Sequence, residues 1–314
     1  MARELREALN CAQQEIGEAL HSSPRYELFH AANSICSQKV RTIFAHQGVP
    51  YVSREMNITA GQTYLPSYVR IRTLGCSQLN GALASTHTGS TSVTSGGCDA
   101  AVVPTLVDWN TDSVIVDSKR ICLYLDERCE EPLQLRPTNL AAEIDAELSI
   151  VDDLPNYQLL MGRPPDGSQT PVMKKGGGGP EFSLLKVARC DRYLSEFSED
   201  QLLVHAYTAK RDKELHAARH LFSPSAMKVA YEVADSACQG LEVKLSRVGD
   251  TWLFGATITL ADVFWGVALL RMKNIGVESF WNHGRLPRVA LFVSKLEAEP
   301  SFRSAVLDWP GALF

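Results

Sequence analysis

The chain has 314 residues, 45% of them hydrophobic and 21% charged, a balance that suits a globular protein with room for about two domains. Its formal net charge of -5 comes without a basic block, which argues against bulk nucleic-acid binding. No uncharged apolar run approaches the roughly 18 residues needed to cross a bilayer, so no membrane partner is expected.

The first segment, MARELREALNCAQQEIGEALH, carries charges throughout and lacks the apolar centre of a signal peptide. Leu5, Leu9, Ala12, Ile16 and Leu20 recur every three or four residues and predict an amphipathic helical extension over 1–23. Residues 26–30, YELFH, read as a short strand. A turn-like Ala-Asn-Ser follows, then CSQKVRTIFAHQG, where Val40, Ile43 and Phe44 mark a helical face that Gly48 and Pro50 terminate. Residues 51–58 alternate as a second strand. From 63 to 100 the chain turns rich in Ser, Thr and Gly and loses periodicity, which predicts a long loop or insertion, whether a wall of a site or tolerated surface.

Strands are predicted at 102–108 and 113–116, joined by the turn Trp109-Asn110-Thr111-Asp112, and a helix begins near Ser118. Beyond residue 139 the strand signals vanish and helical patterns dominate, interrupted by KKGGGGPEF at 174–182, which reads as a flexible loop. The expected fold class is α/β plus all-α. A small mixed domain over 24–137, with its insertion at about 63–100, precedes an all-helical domain over 138–314.

Eight cysteines are scattered as Cys11, Cys36, Cys76, Cys98, Cys122, Cys129, Cys190 and Cys238. None has CxxC spacing, so neither a zinc site nor a dithiol motif is indicated, no metal is expected, and free thiols in a reducing cytoplasm are the expectation. Most of them read as small packing residues. Cys36 differs by its place near the first turn of a helix, where the positive helix end and unpaired N–H groups favour a thiolate. Ser34 stands two residues earlier, positioned to donate a hydrogen bond to that anion or to a substrate thiolate. A buried, inert cysteine fits this spacing equally well.

Pro104 lies inside an apolar strand run, where a residue without an N–H belongs at an edge, bulge or strand start. A cis bond there would turn the Val103 backbone toward a ligand beside the sheet. Asp117-Ser118 opens a helix, with Ser118 as candidate cap. The free N–H groups of that turn favour a carboxylate, and Asp117 suits an amino group. A ligand with both would be an amino acid or a γ-glutamyl peptide; a plain helix cap is the simpler reading. Far downstream, WLFGATITLADVFW (252–265) holds Thr259 and Asp262 in a capping-box spacing, with Ile258 and Val263 placed as a hydrophobic staple.

The β-α-β unit, the Val-Pro strand, the acidic-Ser helix start and this capping box together resemble the glutathione S-transferase superfamily. From YELFHAANSICSQKVR through PSYVRIR, VVPTLVDWNTDSVIVDSKRICLYLD and WLFGATITLADVFW to DWPG, the chain is similar to the bacterial glutathione-dependent reductive dehalogenases of chlorinated hydroquinones. The likeness spans most of residues 25–311 and is weaker over 140–245. It implies a thioredoxin-like glutathione-binding domain and a helical substrate domain. It implies glutathione as co-substrate, a small aromatic substrate, and a homodimer or a heterodimer with a related chain. By resemblance, Val103 and Pro104 would hold the glutathione backbone, Asp117 and Ser118 its γ-glutamyl end, and Ser34 its sulfur. Cys36 would reduce an aryl-glutathione adduct. The superfamily also contains β-etherases and maleylacetoacetate isomerases, and a non-catalytic glutathione-binding module is a further possibility. Tyr157, Tyr207, His205, His216 and Trp265 are visible as pocket candidates, with packing or surface roles as the plainer alternative.

Overall fold

The computed structural model describes residues 2–16, 24–79, 82–129, 133–249 and 251–314. Helix α1 (Ala2–Ile16) buries Leu5 and Leu9 against helix α3 (Pro66–Ser77), while Leu20 lies outside the described residues. Four strands, β1 (Tyr26–His30), β2 (Tyr51–Glu55), β3 (Thr105–Asp108) and β4 (Ser113–Val116), form one mixed sheet in the order β2-β1-β3-β4. The β1–β2 pair is parallel and the other two pairs are antiparallel.

Helix α2 (Ile35–Gln47) and helix α4 (Ser118–Asp126) cover one face of the sheet, and α3 covers the other. The strand period of two sorts the side chains. Leu28, Leu106 and Ile115 meet Ile43 and Phe44 of α2, whereas Phe29, Val107 and Val116 meet Tyr68 and Ile71 of α3. All five residues of β1 are therefore buried, as a central strand with two covered faces requires.

Several expectations change. The loop expected over 63–100 begins later, because Pro66–Ser77 is helical: Pro66 opens it, and Tyr68, Ile71, Arg72 and Gly75 recur along its buried side. The unassigned insertion shrinks to residues 78–104, with a single helical turn at Val93–Gly96. The strand expected at 102–108 starts only at Thr105, directly after Pro104, which has no N–H to give to the ladder; the Val103–Pro104 peptide bond is cis. The strand expected to reach residue 58 ends at Glu55, where its pairing with β1 runs out.

The remaining chain is helical. Its principal helices are α5 (Ala141–Asp152), α6 (Asn156–Met161), α7 (Gly179–Glu196), α8 (Gln201–His220), α9 (Pro224–Val248), α10 (Leu260–Asn274) and α11 (Pro287–Ala298). The loop expected over 174–182 is shorter, because α7 already begins at Gly179 with Pro180 in its first turn. Asp262 apart, helix α10 is apolar from Leu260 to Leu270, is buried over that length and runs through the middle of this layer, packing on α5 and α2.

Asp262 anchors its start, accepting from the Thr259 N–H at 2.8 Å, the Thr259 hydroxyl at 2.7 Å and the Leu253 N–H at 2.8 Å. Ile258 and Val263 are both buried in the adjoining core, as a staple would be. The C-terminal segment returns to the sheet domain. Trp309 stacks edge-on to His30 and under the Arg41 guanidinium, and its indole N–H donates to Glu55 at 3.0 Å.

Candidate active site

A cavity of about 530 Å³ opens between the sheet domain and the helical layer. All six residues singled out from the sequence, Ser34, Cys36, Val103, Pro104, Asp117 and Ser118, line it.

Ser34 is the N-cap of α2: its backbone is extended, and its hydroxyl oxygen accepts the Ser37 N–H at 3.3 Å. Its own proton remains available to a sulfur in the cavity. Cys36 is the second helical residue, 8% exposed, with its Sγ 3.9 Å from the Thr91 carbonyl of the insertion. From the other side Arg271 of α10 donates to the Asn33 carbonyl at 2.6 Å and to Gln38 Oε1 at 3.2 Å. Burial pulls the Arg271 guanidinium down to about 10, and the neighbouring Cys36 sulfur works against that shift. A cation from the second domain thus braces the turn that carries the thiol.

The Val103–Pro104 bend is braced from behind by Arg72. Its buried guanidinium donates to the carbonyls of Asp99 and Pro104, both at 2.5 Å, and to Thr105 Oγ1 at 2.9 Å. Tyr68 adds a bond to the Val102 carbonyl at 2.7 Å. Among the described residues none hydrogen-bonds to the Val103 main chain, which faces the cavity.

At the third corner the expected cap shifts by one residue. Asp117, not Ser118, is the N-cap of α4; it accepts from Arg120 N–H at 3.1 Å, and Ser118 is the first helical residue. The other carboxylate oxygen accepts the Val93 N–H at 3.0 Å, so Asp117 ties the insertion to the helix start. Its φ of +76° is what aims the carboxylate at both donors, and few non-glycine residues adopt it.

The insertion is a wall of the cavity rather than tolerated surface. Ser90 donates to the Asp152 carbonyl at 2.5 Å, and Tyr157 N–H donates to the Gly89 carbonyl at 3.0 Å. Thr91 and Ser92 thereby stand over the Cys36 end.

A buried ionic cluster on the same cavity escaped sequence reasoning. Lys210 of α8 bridges Asp99 at 2.8 Å and Glu214 at 2.7 Å, Lys213 approaches Asp99 at 3.3 Å, and Lys186 of α7 approaches Glu214 at 3.1 Å. Burial pushes the Asp99 carboxyl up, but Lys210 and Lys213 outweigh it and hold the group well below its usual range. Glu214, also raised by burial, is held at about 2 by Lys186 and Lys210. His87, stacked on Tyr157 with ring centroids 4.5 Å apart, is lowered to about 3 by burial and then by Lys213, so it is neutral. The Lys210–Glu214 spacing of four was the one visible signal, and it reads more naturally as an exposed helical ion pair.

Of the other pocket candidates, Tyr157 lines the cavity. Tyr207 is core, its hydroxyl donating to the Tyr64 carbonyl at 2.6 Å, and Trp265 is core, its N–H donating to Glu147 at 2.8 Å. His205 is exposed, and His216 accepts the His87 N–H at 3.4 Å from outside the cavity lining.

A mixed four-stranded sheet with a cis-proline bend, joined to a helical layer across a thiol-bearing cavity, defines a protein of the glutathione transferase type. The glutathione S-transferase N-terminal domain matches residues 33–128 and the C-terminal domain matches residues 214–293. The 2,5-dichlorohydroquinone reductive dechlorinase of Sphingobium indicum is 36% identical over 291 residues, covering 92% of this chain and 84% of that one. The chain belongs to the glutathione S-transferase family and is an enzyme. Among solved structures, the β-etherase LigF of Sphingobium sp. strain SYK-6 superposes with a TM-score of 0.59 at 14% identity, covering 90% of this chain and 98% of that one. Glutathione S-transferase III in its apo form gives 0.57 at 16% identity, with 91% and 98% covered. At those identities the two structures speak for the fold alone.

Proposed function

We propose that this enzyme removes chloride reductively from a chlorinated hydroquinone at the expense of two glutathione molecules. The observation that carries the reading is the pairing of Ser34 and Cys36 at the cap and second position of one helix, in one cavity with Val103 and Asp117. The 36% identity to a reductive dechlorinase over 92% of the chain supports the substrate class.

Glutathione lies along the Val103 main chain, with its γ-glutamyl end at the Asp117-Ser118 turn and its sulfur near the Ser34 hydroxyl. The free N–H groups of α4 suit its α-carboxylate. Asp117, committed to two backbone donors, retains acceptor capacity for one amino group.

The glutathione thiolate forms a C–S bond to the chlorinated carbon of the quinoid tautomer, and chloride leaves with the C–Cl pair. The Cys36 thiolate then attacks the adduct sulfur. An S–S bond forms, the aryl C–S bond breaks, and the carbon takes that electron pair and a proton. A second glutathione displaces Cys36 by exchange at the glutathione sulfur, releasing oxidised glutathione. One C–Cl bond is reduced by two electrons, and two thiols are oxidised to one disulfide. The first step needs only the Ser34 environment; the second requires a nucleophile where Cys36 stands.

The test is a substrate pair: a chlorohydroquinone and a β-aryl ether, each with glutathione, followed for chloride, phenol and oxidised glutathione. Chloride with one oxidised glutathione per turnover supports the proposal. Phenol release with a stable glutathione thioether would instead make the enzyme a β-etherase, in which Cys36 has no redox task.

A further inference from the structure

The cavity lining is of two kinds. Ser34, Cys36 and Asp117 belong to one; apolar side chains including Tyr157, Leu160, Met161 and Phe182, together with the lysines, belong to the other. Among the described residues the ammonium groups of Lys186, Lys210 and Lys213 in this cluster face two carboxylates, Asp99 and Glu214. Arg72 adds a fourth cation whose oxygen partners are carbonyls and a hydroxyl, and His87 is neutral. The wall is therefore cationic in excess, and buried charge is costly unless something completes its pairing.

Two groups lack what they need. Lys213, an ammonium with three donors, meets a single carboxylate at 3.3 Å. Tyr64, 2% exposed and on the same wall, has a buried hydroxyl with no hydrogen-bond partner among the described residues. Both gain from the same thing, an oxyanion entering the cavity.

We propose that the lysine cluster is an oxyanion subsite that holds the aromatic substrate as its phenolate, with Lys213 and Tyr64 as the principal donors. The ring then lies among Tyr157, Leu160, Met161 and Phe182, with its substituted carbon toward the Ser34–Cys36 end. This rests on the functional reading above in that the substrate is a phenol. Holding a phenolate also suits that chemistry, since the electron-rich oxyanion is the form whose ring carbon takes up a proton to give the quinoid tautomer. Glutathione carries a carboxylate on its glycine and is the other candidate anion; the incompletely paired Lys213 ammonium, carried by the helical domain in a cavity that the apolar side chains above also line, favours the aromatic substrate.

The test measures binding without turnover, on protein saturated with S-methylglutathione, which has no free thiol to react. Pentachlorophenol, ionised at neutral pH, is compared with its methyl ether, pentachloroanisole, by calorimetry. A charge-assisted hydrogen bond in a buried site predicts a phenolate preference of roughly 10–100-fold. Lys213→Gln should cut that preference at least about 5-fold and Lys213→Arg should retain it. Tyr64→Phe, which breaks no bond within the protein, should lower it less.

Equal binding of phenol and ether, or a preference unchanged in both Lys213→Gln and Tyr64→Phe, overturns the assignment. A loss of affinity in Lys213→Gln for glutathione, but not for its glycyl ester, would also overturn it by giving the lysines to the glycyl carboxylate. Phenolate preference in an enzyme that releases no chloride leaves the subsite standing and refutes only the dehalogenase reading. Chloride release without the preference does the reverse.

Discussion

Replacing Asp117 with alanine removes two bonds at once. The carboxylate caps α4 through Arg120 N–H at 3.1 Å and holds the insertion through Val93 N–H at 3.0 Å. Losing the cap costs about 1 kcal/mol, and losing the second charge-assisted bond costs about 1.5–3 kcal/mol more. Alanine must also hold a φ of +76°, at about 1 kcal/mol. The total is roughly 3–5 kcal/mol, which for a chain of this size lowers Tm by roughly 6–10 °C. Asp117→Gly makes the same two losses without the backbone strain and should be about 1 kcal/mol less damaging. Urea unfolding and thermal melts of both variants give the comparison. Limited proteolysis should show the 78–104 segment cut faster in each, and glutathione Kd should rise about 10-fold as the Val93 end of the cavity wall comes loose. A loss below about 1 kcal/mol, or alanine tolerated better than glycine, would refute this reasoning.

Stability should fall on acidification well before the carboxylates titrate. His30 and His87 are both held at about 3 by burial first, then by Arg41 and Lys213 respectively, against an ordinary value of 6.5. The unfolded chain takes up protons below 6.5 that the folded chain refuses, so this stability is present above pH 6.5 and is lost as pH falls toward 3. Each histidine contributes a slope approaching 1.4 kcal/mol per pH unit, so about 2 kcal/mol should disappear between pH 6 and 5. Urea midpoints that stay flat over that interval would contradict the buried, neutral assignment, and His87→Gln should remove about half of the slope. Asp262→Ala strips three donors of their acceptor in a buried site and should cost about 3–5 kcal/mol, with Asp262→Asn recovering part of it. A circular-dichroism melt within a degree or two of the parent would show that the helix start does not depend on that carboxylate.

The features legible in the sequence were those set by neighbours along the chain. The strand YELFH, the apolar helical face of Val40, Ile43 and Phe44, the Gly48 terminus at φ +65° and the Thr259–Asp262 box each announce themselves within a few residues. Helix α3 is hard to see in the sequence because it opens a Ser/Thr/Gly-rich stretch and carries Arg70 and Arg72. Its Tyr68, Ile71 and Gly75 spacing nonetheless marks a buried face, and a β-carbon on Gly75 would lie 2.5 Å from Val116. Asp117 and Ser118 are equally good caps by residue type, and nothing local signals the positive φ that gives the role to Asp117. Of the lysine cluster only the Lys210–Glu214 spacing of four shows in the sequence. Lys186, Lys210, Lys213 and Asp99 come from three distant segments, and only tertiary packing turns an apparently solvated helix face inward.

Cys36 attacking the sulfur of an aryl-glutathione adduct is the central step of the proposed reaction, and one measurement addresses it. Purified enzyme and Cys36→Ser are each mixed with a chlorohydroquinone and limiting glutathione, quenched in acid, and analysed by intact-protein and small-molecule mass spectrometry. The parent should show a glutathione mixed disulfide on Cys36 together with the dechlorinated hydroquinone. Cys36→Ser should release chloride, accumulate the aryl-glutathione thioether and form no oxidised glutathione. Dechlorinated product and oxidised glutathione at the parent rate in Cys36→Ser would contradict the account and leave Cys36 a packing residue beside another chemistry.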